Sequence, residues 1–186
     1  MKVAFVHIPK TAGGSIHTWL KDNHENHFEY HTGHRFLNEI YETNGVCDFS
    51  FTCTRNTYSR MISLYNWNGH KLYRKYYKSG KTQFVDEISA HEKGIVEYMY
   101  WARENNKLVT ISQLEWIKGV DIILTQENLK EDFKIIQNKL NCYNTLPTHV
   151  HKRNYVAKDF YTKDFKLAIE DLFGDEIEHF KYLPKY

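Results

Sequence analysis

Apolar positions in this chain fall into short runs divided by polar, turn-forming stretches, and two spacings alternate along it. Lys2 to Ile8 (KVAFVHI) is rich in Val, Phe and Ile, as a buried strand should be, and Ser15 to Leu20 then places Ile16, Trp19 and Leu20 on one side of a helix. Asp48 to Thr54 (DFSFTCT) alternates Phe49, Phe51 and Cys53 with polar residues, and from Tyr58 onward Met61, Ile62, Leu64 and Tyr65 recur at helical spacing. The same reading predicts strands at about 2–8, 48–54 and 121–126, with weaker ones at about 27–31 and 108–112. Helices are predicted near 14–22, 34–43, 57–68, 94–105, 128–140 and 162–173. Strands alternating with helices argue for an α/β fold, a central parallel sheet flanked by helices. Between Gly69 and Lys93 the pattern weakens, and a loop with a short helix over the site is expected there.

The turn between the first strand and first helix carries candidate chemistry. His7-Ile8-Pro9-Lys10-Thr11-Ala12-Gly13-Gly14-Ser15 sets one lysine, two glycines and two hydroxyls ahead of a helix. Glycines let backbone approach an anion, N–H groups at the helix start donate to it, and Lys10 adds a full charge, so a phosphate or sulfate suits the turn. It is P-loop-like without being a Walker A loop, because Lys10 precedes both Gly13 and Gly14 instead of following the second glycine. The plain alternative is an ordinary strand-to-helix connection. Arg55 closes the second strong strand, and Ser63 lies two turns into the next helix; an arginine fork and a hydroxyl suit phosphate oxygens.

Taken together, HIPKTAGGS and the strand-terminal R-N-x-x-x-R-x-x-S-x-Y resemble the sulfotransferases that use 3'-phosphoadenosine 5'-phosphosulfate (PAPS), in particular the carbohydrate branch related to heparan sulfate 2-O-sulfotransferases. The resemblance continues through Ile123 to Phe133 (ILTQENLKEDF) and through the basic, tyrosine-bearing Leu146 to Tyr161 (LPTHVHKRNYVAKDFY). It implies that Pro9, Lys10, Thr11, Ala12, Gly13, Gly14 and Ser15 hold the 5'-phosphosulfate, that Arg55 and Ser63 hold the 3'-phosphate, and that Lys152 and Arg153 reach the nucleotide from a loop. Two positions depart from the family: Thr57 replaces a proline that presets the turn after the Arg-Asn pair, and Gly14 replaces a threonine. Neither departure removes a charge.

Catalysis of sulfuryl transfer needs a base for the acceptor hydroxyl, and histidines crowd the N-terminal part of the chain. Tyr30-His31-Thr32-Gly33-His34 resembles the Y-H-G-H segment of uronosyl 2-O-sulfotransferases, which implies His34 as base, with His31 second and Lys10 stabilising the bridging oxygen. The reaction expected is transfer from PAPS to a hydroxyl on a saccharide, leaving adenosine 3',5'-bisphosphate and needing no metal. Two other readings stay open: a nucleotide-dependent, kinase-like phosphotransferase, and a non-catalytic nucleotide- or glycan-binding module. A kinase needs a carboxylate for Mg²⁺, yet Asp121 precedes its strand instead of ending it. The spacing of His24, His27, His31 and His34 would suit zinc on one continuous helix, although Gly33 and the strand-like Phe28 to His31 oppose that helix.

Composition refines this picture. A chain of 186 residues, 41% hydrophobic and 16% aromatic, can fill one core, so a single domain over 1–186 is expected. A net charge of +2 does not point to a global nucleic-acid binder, although local basic stretches can attract an anionic ligand. Basic residues and tyrosines interleave in Gly69 to Lys81, which suits a groove for an anionic glycan, a single-stranded nucleic-acid platform or a solvated helix face. Cys47, Cys53 and Cys142 lack C-x-x-C spacing and argue against a disulfide scaffold. No secretory signal or membrane span is read, so the expectation is a cytoplasmic protein of bacterial or viral type, or a soluble form trimmed of an anchor, that makes no membrane contact.

Overall fold

A computed structural model describes residues 1–25, 28–69, 77–78, 81–82, 94–105, 108–147 and 156–184. Four parallel strands form the central sheet: β1 (Lys2–Val6), β2 (Glu29–Gly33), β3 (Phe49–Thr54) and β6 (Ile122–Thr125), in the order β2-β1-β3-β6. The helices are α1 (Gly13–Asn23), α2 (Leu37–Asn44), α3 (Thr57–Gly69), α4 (Ile95–Glu104), the short α5 (Gln113–Trp116), α6 (Leu129–Leu140) and α7 (Lys163–Phe180). Two-residue strands β4 (Tyr77–Lys78) and β5 (Lys81–Thr82) pair antiparallel apart from this sheet. The rest of the weakly patterned segment, 70–76, 79–80 and 83–93, lies outside the described residues.

Strand alternation sends side chains to two faces, each covered by helices. Val3 and Phe5 of β1 join Phe49, Phe51 and Cys53 of β3 under α1 and α6, where Phe5 stacks on Phe51 at 4.9 Å and Trp19 meets Phe133 edge-on at 4.9 Å. Ala4, Val6 and Ile8 face the other way, onto Leu37 and Ile40 of α2 and Trp116 of α5. The polar positions of β3 are buried as well, which is tolerable because each hydroxyl finds a partner: Ser50 on Asp121 at 2.7 Å, Thr52 on the Val6 carbonyl at 2.7 Å and Thr54 on the Leu124 carbonyl at 3.2 Å. A further apolar cluster joins α3, α4 and α7 through Tyr58, Met61, Tyr98, Met99, Phe165 and Ile169. Cys47, Cys53 and Cys142 are free and buried, packing against these cores.

Three expectations need correction. The strand expected at 108–112 is a 3₁₀ turn, Leu108–Thr110, because Arg103 takes the Thr110 carbonyl at 3.1 Å and Arg60 the Ile111 carbonyl at 3.3 Å, leaving that backbone no sheet edge to join. The helix expected to stop at residue 173 runs to Phe180 across a kink at Phe173, so the Phe-Gly pair bends the chain without ending it. β2 runs from Glu29 to Gly33, two residues later than expected, which puts His31 inside the strand and His34 just beyond it, with His24 at the C-cap of α1 before it. The continuous helix that a zinc cluster would require is therefore not formed, and His27 lies outside the described residues.

Candidate functional site

The order β2-β1-β3-β6 changes direction between β1 and β3, and a parallel sheet leaves a crevice at the carboxyl ends of its strands there. Both halves of the candidate site occupy this rim. The turn from Pro9 to Ala12 leaves β1 and enters α1 at Gly13, while Arg55 and Asn56 leave β3 and enter α3 at Thr57.

The turn is built in an uncommon backbone conformation. Lys10 and Ala12 both have φ of 70°, in the left-handed region that non-glycine residues seldom occupy. Three groups hold it there. Thr11, fully buried, donates its hydroxyl to the Ile8 carbonyl at 2.9 Å, Arg60 Nε donates to the Pro9 carbonyl at 3.2 Å, and Arg55 Nη1 donates to the Lys10 carbonyl at 3.1 Å. What Thr11 offers a ligand is thus its peptide N–H rather than its hydroxyl. The first helical hydrogen bonds run from Ser15 and Ile16 to the Ala12 carbonyl, so the N–H groups of Gly13 and Gly14 open the helix as donors.

Lys10 Nζ lies over the Trp67 ring, 4.1 Å from its centroid. Arg60, Ser63 and Trp67 recur at helical spacing of three and four, which puts them on one face of α3. Pro9 meets Arg60 and Lys10 meets Trp67, so the turn runs along the face of α3 that also carries Ser63. Lys10 and Arg55 are brought together, Arg55 Nη1 reaching the Lys10 carbonyl. Arg55 Nε is buried and has no hydrogen-bond partner among the described residues, so a donor beside the turn is left for an anion.

Gly13 has a second role. A Cβ on it would sit 1.8 Å from Nε2 of His7, so only glycine admits the His7 ring against the start of α1. The His34 ring lies tilted against that ring, with centroids 4.2 Å apart, and its Nδ1 is 2.7 Å from the His7 carbonyl. A carbonyl only accepts, so Nδ1 carries the proton and neutral His34 keeps an unprotonated Nε2, the form a general base needs. Burial, and then the nearby His34, His17 and Lys10, pull His7 down to about 3, so it is neutral at physiological pH. His31 is placed otherwise. It lies within β2, paired with Ala4 on the α2 side of the sheet, its Nε2 3.2 Å from Glu29 Oε1. The structure does not bring it to the rim beside His34.

The Ile123 to Phe133 motif serves the scaffold. In Ile123 to Phe133, Glu127 Oε1 accepts the Asn56 N–H at 3.0 Å, while Asp132 accepts from Thr125 N and Oγ1 at 2.8 Å and from Asn128 Nδ2 at 2.6 Å. That block ties the end of β6 to the end of β3. Asp121 stands at the opposite rim, where the Ser50 hydroxyl and N–H hold its carboxyl below the usual carboxylate range. Lys152 and Arg153 lie outside the described residues.

Sequence reading missed the groups behind the turn. Glu176 of α7, fully buried, accepts from the Thr57 hydroxyl, from Ser112 Oγ at 3.1 Å, and from N and Nε2 of Gln113, both at 2.6 Å. Arg60, also fully buried, has Nη1 4.0 Å from Glu176 Oε2. Gln113 in turn grips the Arg55 backbone, accepting from its N–H at 2.9 Å and donating to its carbonyl at 2.8 Å. Only the spacing of Arg60 within the arginine motif could have pointed to this network. No protein-family model matches this chain, and no curated protein matches it.

Proposed function

We propose that this chain is a PAPS-dependent sulfotransferase acting on a hydroxyl acceptor, with a saccharide as the acceptor class. The observation that carries the reading is the pairing, on one rim of the sheet, of an anion-binding turn with a histidine whose Nδ1 is committed to a carbonyl. A strained turn, the start of α1, the buried unpartnered Arg55 Nε and the Lys10 ammonium fit a donor carrying a phosphosulfate at one end and a second phosphate at the other. When bound, that donor supplies a sulfuryl group already activated by its bond to phosphate.

The residues divide the work by chemistry. His34 Nε2 takes the proton of the acceptor hydroxyl as its oxygen bonds to sulfur, and the bond from sulfur to the bridging phosphate oxygen breaks in line. Lys10 meets the charge that gathers on that oxygen, an electrostatic role worth a few kcal/mol in comparable oxyanion sites. The N–H groups of Thr11, Gly13 and Gly14 orient the phosphosulfate, while Arg55 and Ser63 hold the 3'-phosphate. The kinase-like alternative would need a carboxylate for Mg²⁺ at this rim, but Asp121 is at the other one and Glu127 is engaged by Asn56.

Calorimetric titration tests the reading without knowledge of the acceptor. Adenosine 3',5'-bisphosphate should bind much more tightly than AMP, and Arg55→Ala should remove most of that difference, about 1.5–3 kcal/mol for a charge-assisted contact. Equal binding of the two nucleotides by the unaltered protein would sink the proposal.

A further inference from the structure

The anion-binding turn is held by a carboxylate that never reaches it. Arg60 Nε binds the Pro9 carbonyl and Arg55 Nη1 binds the next one, that of Lys10. Both arginines lead back to Glu176. One route is direct, through Arg60 Nη1 at 4.0 Å from Oε2. The other passes through Gln113, whose N and Nε2 bind the carboxylate and whose side-chain amide clasps the Arg55 backbone from both sides.

Peptide geometry turns this into a statement about the ligand side. In a trans peptide the C=O and the following N–H point in opposite directions. Drawing the Pro9 and Lys10 carbonyls toward the arginines therefore turns the N–H groups of Lys10 and Thr11 the other way, away from those arginines. It also holds Lys10 at φ 70°, a conformation that a non-glycine residue keeps only where its surroundings enforce it. We infer that Glu176 is a positioning residue for this turn, acting through two arms, Arg60 on the Pro9–Lys10 peptide and Gln113 with Arg55 on the Lys10–Thr11 peptide. The inference deepens the sulfotransferase reading, on which it rests only for the identity of the anion.

The two arms make the idea testable peptide by peptide. In ¹⁵N–¹H correlation spectra of the unliganded protein, Glu176→Gln should shift the amide signals of both Lys10 and Thr11, because the new NH₂ group faces donors where the carboxylate accepted. Gln113→Leu cuts one arm only, so Thr11 should shift and Lys10 should stay. Ile169→Ala, which truncates a buried apolar residue two turns earlier on the same helix, supplies a control for general loosening and should leave both signals in place. Adenosine 3',5'-bisphosphate should bind at least tenfold more weakly to Glu176→Gln than to the unaltered protein, and about equally to Ile169→Ala. Amide shifts in Glu176→Gln no larger than in Ile169→Ala would overturn the inference. If Glu176→Gln does not fold, Gln113→Leu decides alone: both amides moving alike, or neither moving, overturns it. Should the unaltered protein bind no adenosine 3',5'-bisphosphate, the sulfotransferase reading fails while the amide shifts still judge the clamp.

Discussion

Replacing Gly13 by alanine should destabilise the protein although it improves the helix that residue begins. In a helix, alanine is worth roughly 0.5–1 kcal/mol over glycine. Here the added methyl would lie 1.8 Å from Nε2 and 1.9 Å from Cδ2 of His7, whereas carbon contacts settle near ~3.5–4.0 Å. The ring must shift by about 2 Å, yet it is in contact with Phe5, at 5.5 Å, and with His34, at 4.2 Å, and His34 is itself bonded to the His7 carbonyl. Overpacking of this kind costs about 1–3 kcal/mol, and subtracting the helix gain leaves a net loss of roughly 0–2.5 kcal/mol, centred on ~1 kcal/mol. For a chain of this length ~1 kcal/mol lowers Tm by roughly 2–4 °C. Thermal and urea unfolding would measure it, with Gly174→Ala as the contrast. A Cβ at Gly174 meets nothing within 4 Å, so the same replacement should there be neutral or stabilising. In a His7→Ala background the penalty at Gly13 should vanish, giving a coupling energy of about 1 kcal/mol or more. Gly13→Ala at least as stable as the unaltered protein, with no coupling to His7, would refute the packing of this ring and with it the placement of His34.

His34→Ala should lower sulfuryl transfer by ~10²–10⁴-fold and leave nucleotide affinity nearly unchanged, while Lys10→Ala should reduce both together; full transfer by the His34 variant would mean that the base is elsewhere. His7, held down to about 3, should make stability depend on pH. Its folded pKa lies below the unfolded one, so its contribution is present above about 6.5 and is lost as pH falls toward 3, at up to about 1.4 kcal/mol per unit. Between pH 6.5 and 5 the unaltered protein should lose about 1.5 kcal/mol more than His7→Asn in urea unfolding, and matching slopes would show that His7 titrates normally. Arg60→Leu should cost about 3–5 kcal/mol, because it removes the cation beside the buried Glu176 carboxylate together with the donors to the Pro9 and Ile111 carbonyls, and a loss under 1 kcal/mol would show the pair to be incidental.

Much of the architecture was legible in one dimension because each strand and helix buries one face against its neighbours, and that demand writes a period into the residues. Lys2 to Ile8 and Asp48 to Thr54 read as strands for this reason, and β1 and β3 fall within them. The phosphate-cradle reading of Pro9 to Ser15 needed only local rules as well, since a glycine pair and a lysine between strand and helix put donors where the helix begins. Short segments read less well. Leu108 to Ser112 is β-branched enough for a strand, but two arginines from other elements claimed its carbonyls. Phe173-Gly174 looks like a helix end, yet the chain beyond it continues because Glu176 has donors waiting from α3, Ser112 and Gln113.

Local pattern thus determined which residues become strands and helices and where the candidate anion-binding turn lies, because these follow from neighbours within a few positions, whereas His34 was named as a base through the family resemblance of its segment. Contacts across the sheet decided the rest. They set His31 on the α2 side of β2 and His34 on the rim against His7, although the two stand three residues apart, since alternation and the end of a strand separate them in space. They also joined Glu176 to Gln113 and Arg60, residues 63 and 116 positions away. A buried charge is stable only with its partners around it, and nothing in the local sequence of α7 says which distant groups those partners will be.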